Sequence, residues 1–244
     1  MHAPHGRFRG ARRLRRALAV CAAAVVGTAH ASAQAPRDSA AMTLYREAAA
    51  RFAGARTMRA RFEQTLVSPI NPTPRVSRGE LMQRPPSRFA FRFTDPAGDA
   101  VVSDGEALWV YVPSTARGQV LKLPRELGSA FDVVAKLLAN PGDRTLVQVV
   151  PEPDRVGGEA VTAFLLTPRA AGAPFQTAKV WIGADRLVRQ LEIVEPGGLR
   201  RHLRFTNMRL GVTLPKRAFV FDVPAGVRVI DQAALLGPGA PRRP

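Results

Sequence analysis

The sequence predicts a mainly β fold: one large, curved antiparallel sheet of about eleven or twelve short strands, open or nearly closed, with two helices on one side. Three observations predict it. Short apolar or alternating runs recur along most of the chain, Pro and Gly clusters separate them at close intervals, and only two stretches switch to helical spacing. A sheet of that size encloses more apolar concave surface than two short helices fill as solid core, which leaves room for a ligand cavity.

The chain of 244 residues opens with Arg7, Arg9, Arg12, Arg13, Arg15 and Arg16, then an uncharged run over 17–29, then Ala31-Ser32-Ala33. This is the order of a secretory signal peptide, residues 1–33, cleaved near Ala33; the apolar run is too short to span a bilayer. Cys21, the only cysteine, lies inside it. Val20 stands before Cys21, where lipoprotein signals favour a small residue, so the mature chain is read as exported, unanchored and without disulfides. Cleavage removes six of the 36 basic residues and none of the 19 acidic ones, leaving 30 against 19, a net of +11. That surplus reads either as plain composition or as an anion-facing surface. The arginines are scattered, with no basic block and no RNA-binding aromatic signature, which argues against a nucleic-acid partner.

From residue 38 to 54 the pattern is helical, with Met42, Tyr45, Ala49 and Phe52 on one stripe, Asp38 or Ser39 to cap it and Gly54 to end it. Strands are expected at 59–68, 76–83 and 88–94; in the last, Phe89, Phe91 and Phe93 take one face while Arg88 and Arg92 take the other. Next comes VVSDGEALWVYVP, residues 101–113, in which Asp104-Gly105 predicts a tight hairpin between strands 100–103 and 106–112. The second of these strands is apolar on both faces, so both must be covered. Which face points inward is open: Trp109 and Tyr111 share one, Leu108 and Val110 the other. A strand at 119–123 precedes the second helical stretch, 129–140, where Phe131, Val134, Ala135 and Leu138 are helically spaced between Ser129 and Pro141-Gly142. Strands resume at 145–150, 160–167, 177–182, 187–194, 200–210 and 218–222. Residues 34–235 form a single domain on this reading, and 236–244, rich in Gly, Pro and Arg, a disordered tail.

The residues that carry chemistry are sparse. Three of the four histidines lie in the signal segment, leaving His202 alone, so a Cys/His metal site is excluded and no catalytic triad is indicated. Asp99, Asp104 and Glu106 cluster at a hairpin end, where Asp forms turns. Neither a nucleophile elbow nor a phosphate-binding glycine loop is present, so the chain reads as a binder with no cofactor and not as an enzyme.

Val102-Ser103-Asp104-Gly105, Leu108-Trp109, Tyr111 and Pro113 together resemble a pattern of the outer-membrane lipoprotein carrier protein (LolA) family. Ala60-x-Phe62-x-Gln64 resembles that family's first strand, and Phe219-Val220-Phe221 with Pro224-x-Gly226-Val227-x-Val229-x-Asp231 its last segment. The resemblance implies an incomplete, half-open β-barrel of about eleven strands under a helical lid. Between them lies a hydrophobic cavity for the acyl chains of lipoproteins. It further implies a monomeric periplasmic shuttle that loads from an inner-membrane ABC transporter of the lipoprotein-release type and unloads at the outer membrane, to an acceptor if one is present. Phe89, Phe91, Trp109, Tyr111, Phe131, Val134 and Leu138 are the candidates for cavity and lid contacts. The family's lid-latching arginine precedes a proline; here Arg84 does, one position early from Gly79, so Arg84 reaches the lid only if a bulge restores its face. The rival readings are a lipid-binding receptor or sensor on the same fold, a hydrolase using Asp104 or Glu106, and a basic polyanion-binding module.

Overall fold

The computed structural model describes residues 29–128, 133–138, 144–151 and 154–232, with side chains described from Asp38 onward except at 133, 135 and 136. The greater part of the expected signal peptide, Phe131, the ends of the second predicted helix and the expected tail lie outside the described residues. The chain divides into a unit ending at Arg37, whose described part is the opening of the first helix, and a unit from Asp38 onward that holds the whole sheet.

Helix α1 spans Ala29–Ala53 and starts earlier than the spacing predicts, in an alanine-rich stretch that favours helix. It ends where expected, with Gly54 N donating to Ala50 O at 2.9 Å. The strands are β1 (Met58–Val67), β2 (Arg75–Arg84), β3 (Arg88–Asp95), β4 (Ala97–Ser103), β5 (Ala107–Tyr111) and β6 (Gln119–Pro124). Two short helices follow, α2 (Arg125–Gly128) and α3 (Val133–Leu138). Then come β7 (Thr145–Val149), β8 (Asp154–Val156), β9 (Glu159–Pro168), β10 (Thr177–Gly183), β11 (Val188–Val194), β12 (Arg200–Leu210) and β13 (Arg228–Asp231). No described helix is long and apolar enough to cross a membrane.

All thirteen strands join one sheet in the order β13-β6-β5-β4-β3-β2-β1-β12-β11-β10-β9-β7, with β8 paired to β9. The end strands, β13 and β7, are not paired with each other, so the barrel is incomplete. β1 closes against β12 across nearly its whole length, from Met58↔Leu210 to Val67↔Arg200, which brings the two halves of the chain together. Curvature follows from burial. Alternate residues of strands from β1 round to β12 and the buried stripe of α1 form one apolar cluster, which requires one face of the sheet to wrap around the helices.

Two details depart from expectation. The predicted strand at 218–222 is a run of turns, with Ala218 N bonded to Pro215 O and Val220 N to Arg217 O. It is apolar because it packs on the outside of the sheet: Ala218 and Phe219 are buried against Met82, Ala90, Ala100 and Val102. The last strand is instead β13, which pairs parallel with β6 from Arg228↔Gln119 to Asp231↔Lys122, so the sheet is antiparallel except at this edge.

Candidate functional site: the concave face and its helical cover

The concave face is built by strand alternation. Met58, Ala60 and Phe62 on β1, Phe89 and Phe91 on β3, Val180 and Ile182 on β10, and Leu203 and Phe205 on β12 all point into the same cluster. Period-two spacing places residues i, i+2 and i+4 on one face, and here every such face is aliphatic or aromatic. Phe62 is the centre of an aromatic group, with edge contacts to Phe91 and Phe93, each 5.3 Å between centroids; Phe89 meets Phe91 at 6.1 Å. Offset edge contacts of this kind are favoured by the ring quadrupoles.

Two helices cover this surface. α1 contributes Tyr45, Ala48, Ala49 and Phe52, spaced to fall on one stripe, and α3 contributes Val134, Leu137 and Leu138, all buried. α3 is described over six residues, and a helical stretch of that length depends on what it packs against. Its polar tie is the phenol of Tyr45, which donates to the Leu137 carbonyl at 2.8 Å. That carbonyl lies in the last turn of α3, where the helix supplies no partner for it. Tyr45 is fully buried, its ring 5.0 Å from Phe164. Burial pushes its phenol well above the ordinary pKa, so the hydroxyl stays a donor throughout the physiological range.

The rim at the β1–β2 hairpin end is polar. Gln64 continues the inward alternation of β1, and its amide oxygen accepts from Arg201 Nη1 at 3.0 Å, while Arg201 Nη2 reaches Glu195 at 3.0 Å. Gln64 Nε2 lies 3.4 Å from Ser77 Oγ. The concave face thus passes from wholly apolar beneath the helices to charged at one mouth.

The doubly apolar strand β5 resolves into two environments. Leu108 is fully buried in the concave cluster with Val110 packed on it, whereas Trp109 and Tyr111 face outward, stacked and tilted on Phe221 with centroids 5.6 Å apart in each case. The covering on that side is the segment 212–222, anchored by Arg92, whose Nη2 donates to Ala218 O at 3.2 Å and Val220 O at 2.9 Å. Trp109 Nε1 also donates to Asp104 Oδ2 at 2.9 Å. Trp109 and Tyr111 are therefore corrected from cavity contacts to outer-face packing residues. In the predicted hairpin Gly105 takes a positive φ, +100°, and Asp104 shapes the turn by accepting from Glu106 N and Ala107 N, each at 2.8 Å.

Arg84 is likewise corrected. β2 pairs with β3 without a shift from Gly79↔Phe93 to Arg84↔Arg88, so no bulge turns Arg84 inward. Its guanidinium lies over the Phe219 ring on the outer face, 5.5 Å from the centroid. The other candidates, Phe89, Phe91, Val134 and Leu138, lie in the concave cluster. Sequence reasoning missed Tyr45 as the tie between α1 and α3; its signal was a hydroxyl on an otherwise apolar stripe.

The arrangement offers binding chemistry. Among the described residues no group of three or more His, Cys, Asp or Glu could hold a metal ion. Partial burial of Asp104 opposes its ionisation, but the backbone N–H groups of Ala107 and Glu106 and the Trp109 indole together hold its pKa below the usual carboxylate value. Those same bonds occupy both of its oxygens.

The family described as "Outer membrane lipoprotein carrier protein LolA" matches residues 53–222. An outer-membrane lipoprotein carrier protein of Methylibium petroleiphilum is 32% identical over 177 residues, covering 72% of this chain and 84% of the relative. The protein of the same description from Dechloromonas aromatica is 27% identical over 72% of this chain and 82% of its own length. Among solved structures, a LolA superfamily protein from Nitrosomonas europaea aligns with a TM-score of 0.38 at 13% identity, covering 74% of this chain and 97% of that one.

Proposed function

Because the chain belongs to the outer-membrane lipoprotein carrier family, we propose that it is a periplasmic carrier that takes lipoprotein acyl chains between the concave face of its sheet and the helices α1 and α3. The observation that supports this most is the cover. An apolar surface drawn from most of the sheet is closed in part by a six-residue helix with three buried side chains and one buried phenol bond.

Magnitudes favour exchange of that cover for lipid. Exposing Val134, Leu137 and Leu138 costs on the order of 5–9 kcal/mol, at about 1.5–3 kcal/mol for each buried aliphatic side chain. An acyl chain of about sixteen carbons gains on the order of 12 kcal/mol on leaving water, at about 0.8 kcal/mol per CH₂. One acyl chain can therefore displace α3, and the return of α3 offsets a substantial part of the cost of letting that chain go. A closed state that lies several kcal/mol below the open one, yet is outweighed by bound cargo, suits loading followed by release.

On this reading the protein shuttles lipoproteins from the inner to the outer membrane, loading from an ABC transporter of the lipoprotein-release type and unloading to an outer-membrane acceptor where one exists. The polar mouth at Gln64, Arg201 and Glu195 suits the point where a lipoprotein's acyl chains meet its hydrophilic body. Native mass spectrometry of the protein purified from its own periplasm tests the proposal. Co-purified lipoprotein or acyl lipid is expected; a clean empty mass, with a bound hydrophobic dye not displaced by lipoprotein, would overturn it.

A further inference from the structure

The convex face carries a groove that acyl-chain binding does not use. It lies over β1, β2 and β12, between the start of the covering segment at Val212 and Thr213 and the β8–β9 turn at Val156 and Gly157. Three clefts of about 620, 380 and 360 Å³ adjoin there, sharing Arg61, Glu80, Arg204, Thr206 and Asn207 among them.

Its floor is built of arginine. Arg59 is opposed directly by Arg209 across the β1–β12 ladder, and Arg61 by Thr206, with Arg204 next along β12 on the same face. Like charges placed opposite each other in a sheet are destabilising unless an anion sits between or beside them. Two of the groove's arginines are compensated internally: Arg59 Nε bonds Glu80 at 2.6 Å, and Arg78 bonds Glu63 at 2.8 Å and Asp95 at 3.1 Å. Glu80 stands opposite Arg61 and Glu63 opposite Arg204 in the ladders, but these carboxylates bond Arg59 and Arg78 instead, and among the described residues Arg61, Arg204 and Arg209 make no salt bridge.

Two local features place two of these side chains, Arg209 and Arg204. Asn207 adopts a left-handed backbone, φ +53°, at the register shift opposite Arg59 and Arg61. The added residue turns Met208 into the core and Arg209 outward, where plain alternation from Thr206 would do the reverse. Gly157, φ +60°, leaves the space that a Cβ would fill to the Arg204 guanidinium: Nη2 lies 2.6 Å from that Cβ position.

We propose that this groove is a docking site for an extended acidic segment of a partner protein. Alternate side chains of an extended strand recur at about 7 Å, and diagonal cross-strand neighbours such as Arg61 and Arg204 stand about 7–8 Å apart. Carboxylates at every second residue therefore match the backbone spacing of these arginine positions. Arg204 is half-buried, beside the β8–β9 turn at Gly157. A flat bilayer cannot reach it, whereas a single extended chain can. The inference stands apart from what the concave face carries and is tested on the empty protein.

A fluorescently labelled deca-glutamate peptide is titrated into the wild type, the triple variant Arg61→Gln, Arg204→Gln, Arg209→Gln, and a charge-matched control, Arg46→Gln, Arg117→Gln, Arg228→Gln, at exposed positions elsewhere. The groove variant is expected to weaken binding at least about tenfold and the control less than about twofold. Wild-type binding should fall steeply as salt rises from about 20 to about 200 mM. Equal weakening in both variants, or none in either, would overturn the proposal as general charge attraction. So would anionic phosphatidylglycerol vesicles that bind the wild type and lose the groove variant while the peptide binds neither.

Discussion

Tyr45→Phe removes one oxygen from a fully buried site and leaves the Leu137 carbonyl without its donor. A buried acceptor stripped of its partner costs about 1–3 kcal/mol, and the cost falls on the closed state alone, because in the open state water satisfies the carbonyl. Taking about 1–2 kcal/mol as the net, the equilibrium for lifting α3 shifts toward opening by roughly 5–30-fold. Hydrogen exchange resolved by peptide reads this directly. Amides of residues 133–138 should lose protection by that factor while those of β1 and β12 keep theirs, and capture of a hydrophobic dye should quicken by a similar ratio if opening precedes binding. Protection falling evenly across the sheet would mean that Tyr45 merely stabilises the fold. Unchanged exchange at 133–138 would mean that the bond does not hold the cover. Either result refutes the reasoning.

Three further outcomes follow from single residues. Gly79→Ala drives a Cβ into the Arg92 carbonyl oxygen and to 2.9 Å from the Phe62 ring, so it should cost about 3 kcal/mol; calorimetry should show Tm lowered by roughly 6–12 °C. Arg84→Leu should leave cargo loading and release unchanged in a transfer assay, since its side chain lies against Phe219 outside the sheet; a release defect would restore it as a latch. Asp104 has its folded pKa depressed, so its contribution to stability is present above the ordinary carboxylate value of about 4 and is lost as pH falls through the lower folded value. In an acid titration followed by NMR, the Trp109 indole N–H should hold its shift down to about pH 4 and move below it; movement centred at higher pH would contradict the assigned bond.

Local periodicity made much of the fold legible. The stripe Tyr45, Ala49, Phe52 and the alternation Phe89, Phe91, Phe93 each specify a buried face, and the structure buries those faces together. What pattern cannot supply is an asymmetry the strand lacks. With Leu108 and Val110 on one side and Trp109 and Tyr111 on the other, both sides of β5 are equally able to be core, and only the remote segment 212–222 decides which is which. The same segment misled the reading of its own sequence, because Phe219 and Phe221 are apolar for packing and not for pairing. Arg84 turned on register: a bulge was needed to bring it inward, and the one in β2 lies at Arg78/Gly79, on the wrong side of the strand's inward-facing Gln83 to do so. The bulge at Asn207, which aims Arg209 outward, left no mark in residue type strong enough to read.

The central claim, that acyl chains lie on the concave side, is tested most directly within β5, where one step along the chain changes face. A benzophenone amino acid is placed at Val110, which packs in the concave cluster, and separately at Tyr111, which packs on Phe221 outside. Each protein is loaded with a triacylated lipoprotein and irradiated. Cross-links from position 110 to the acyl chains and none from position 111 are predicted; cross-links from 111 with none from 110 would contradict the account.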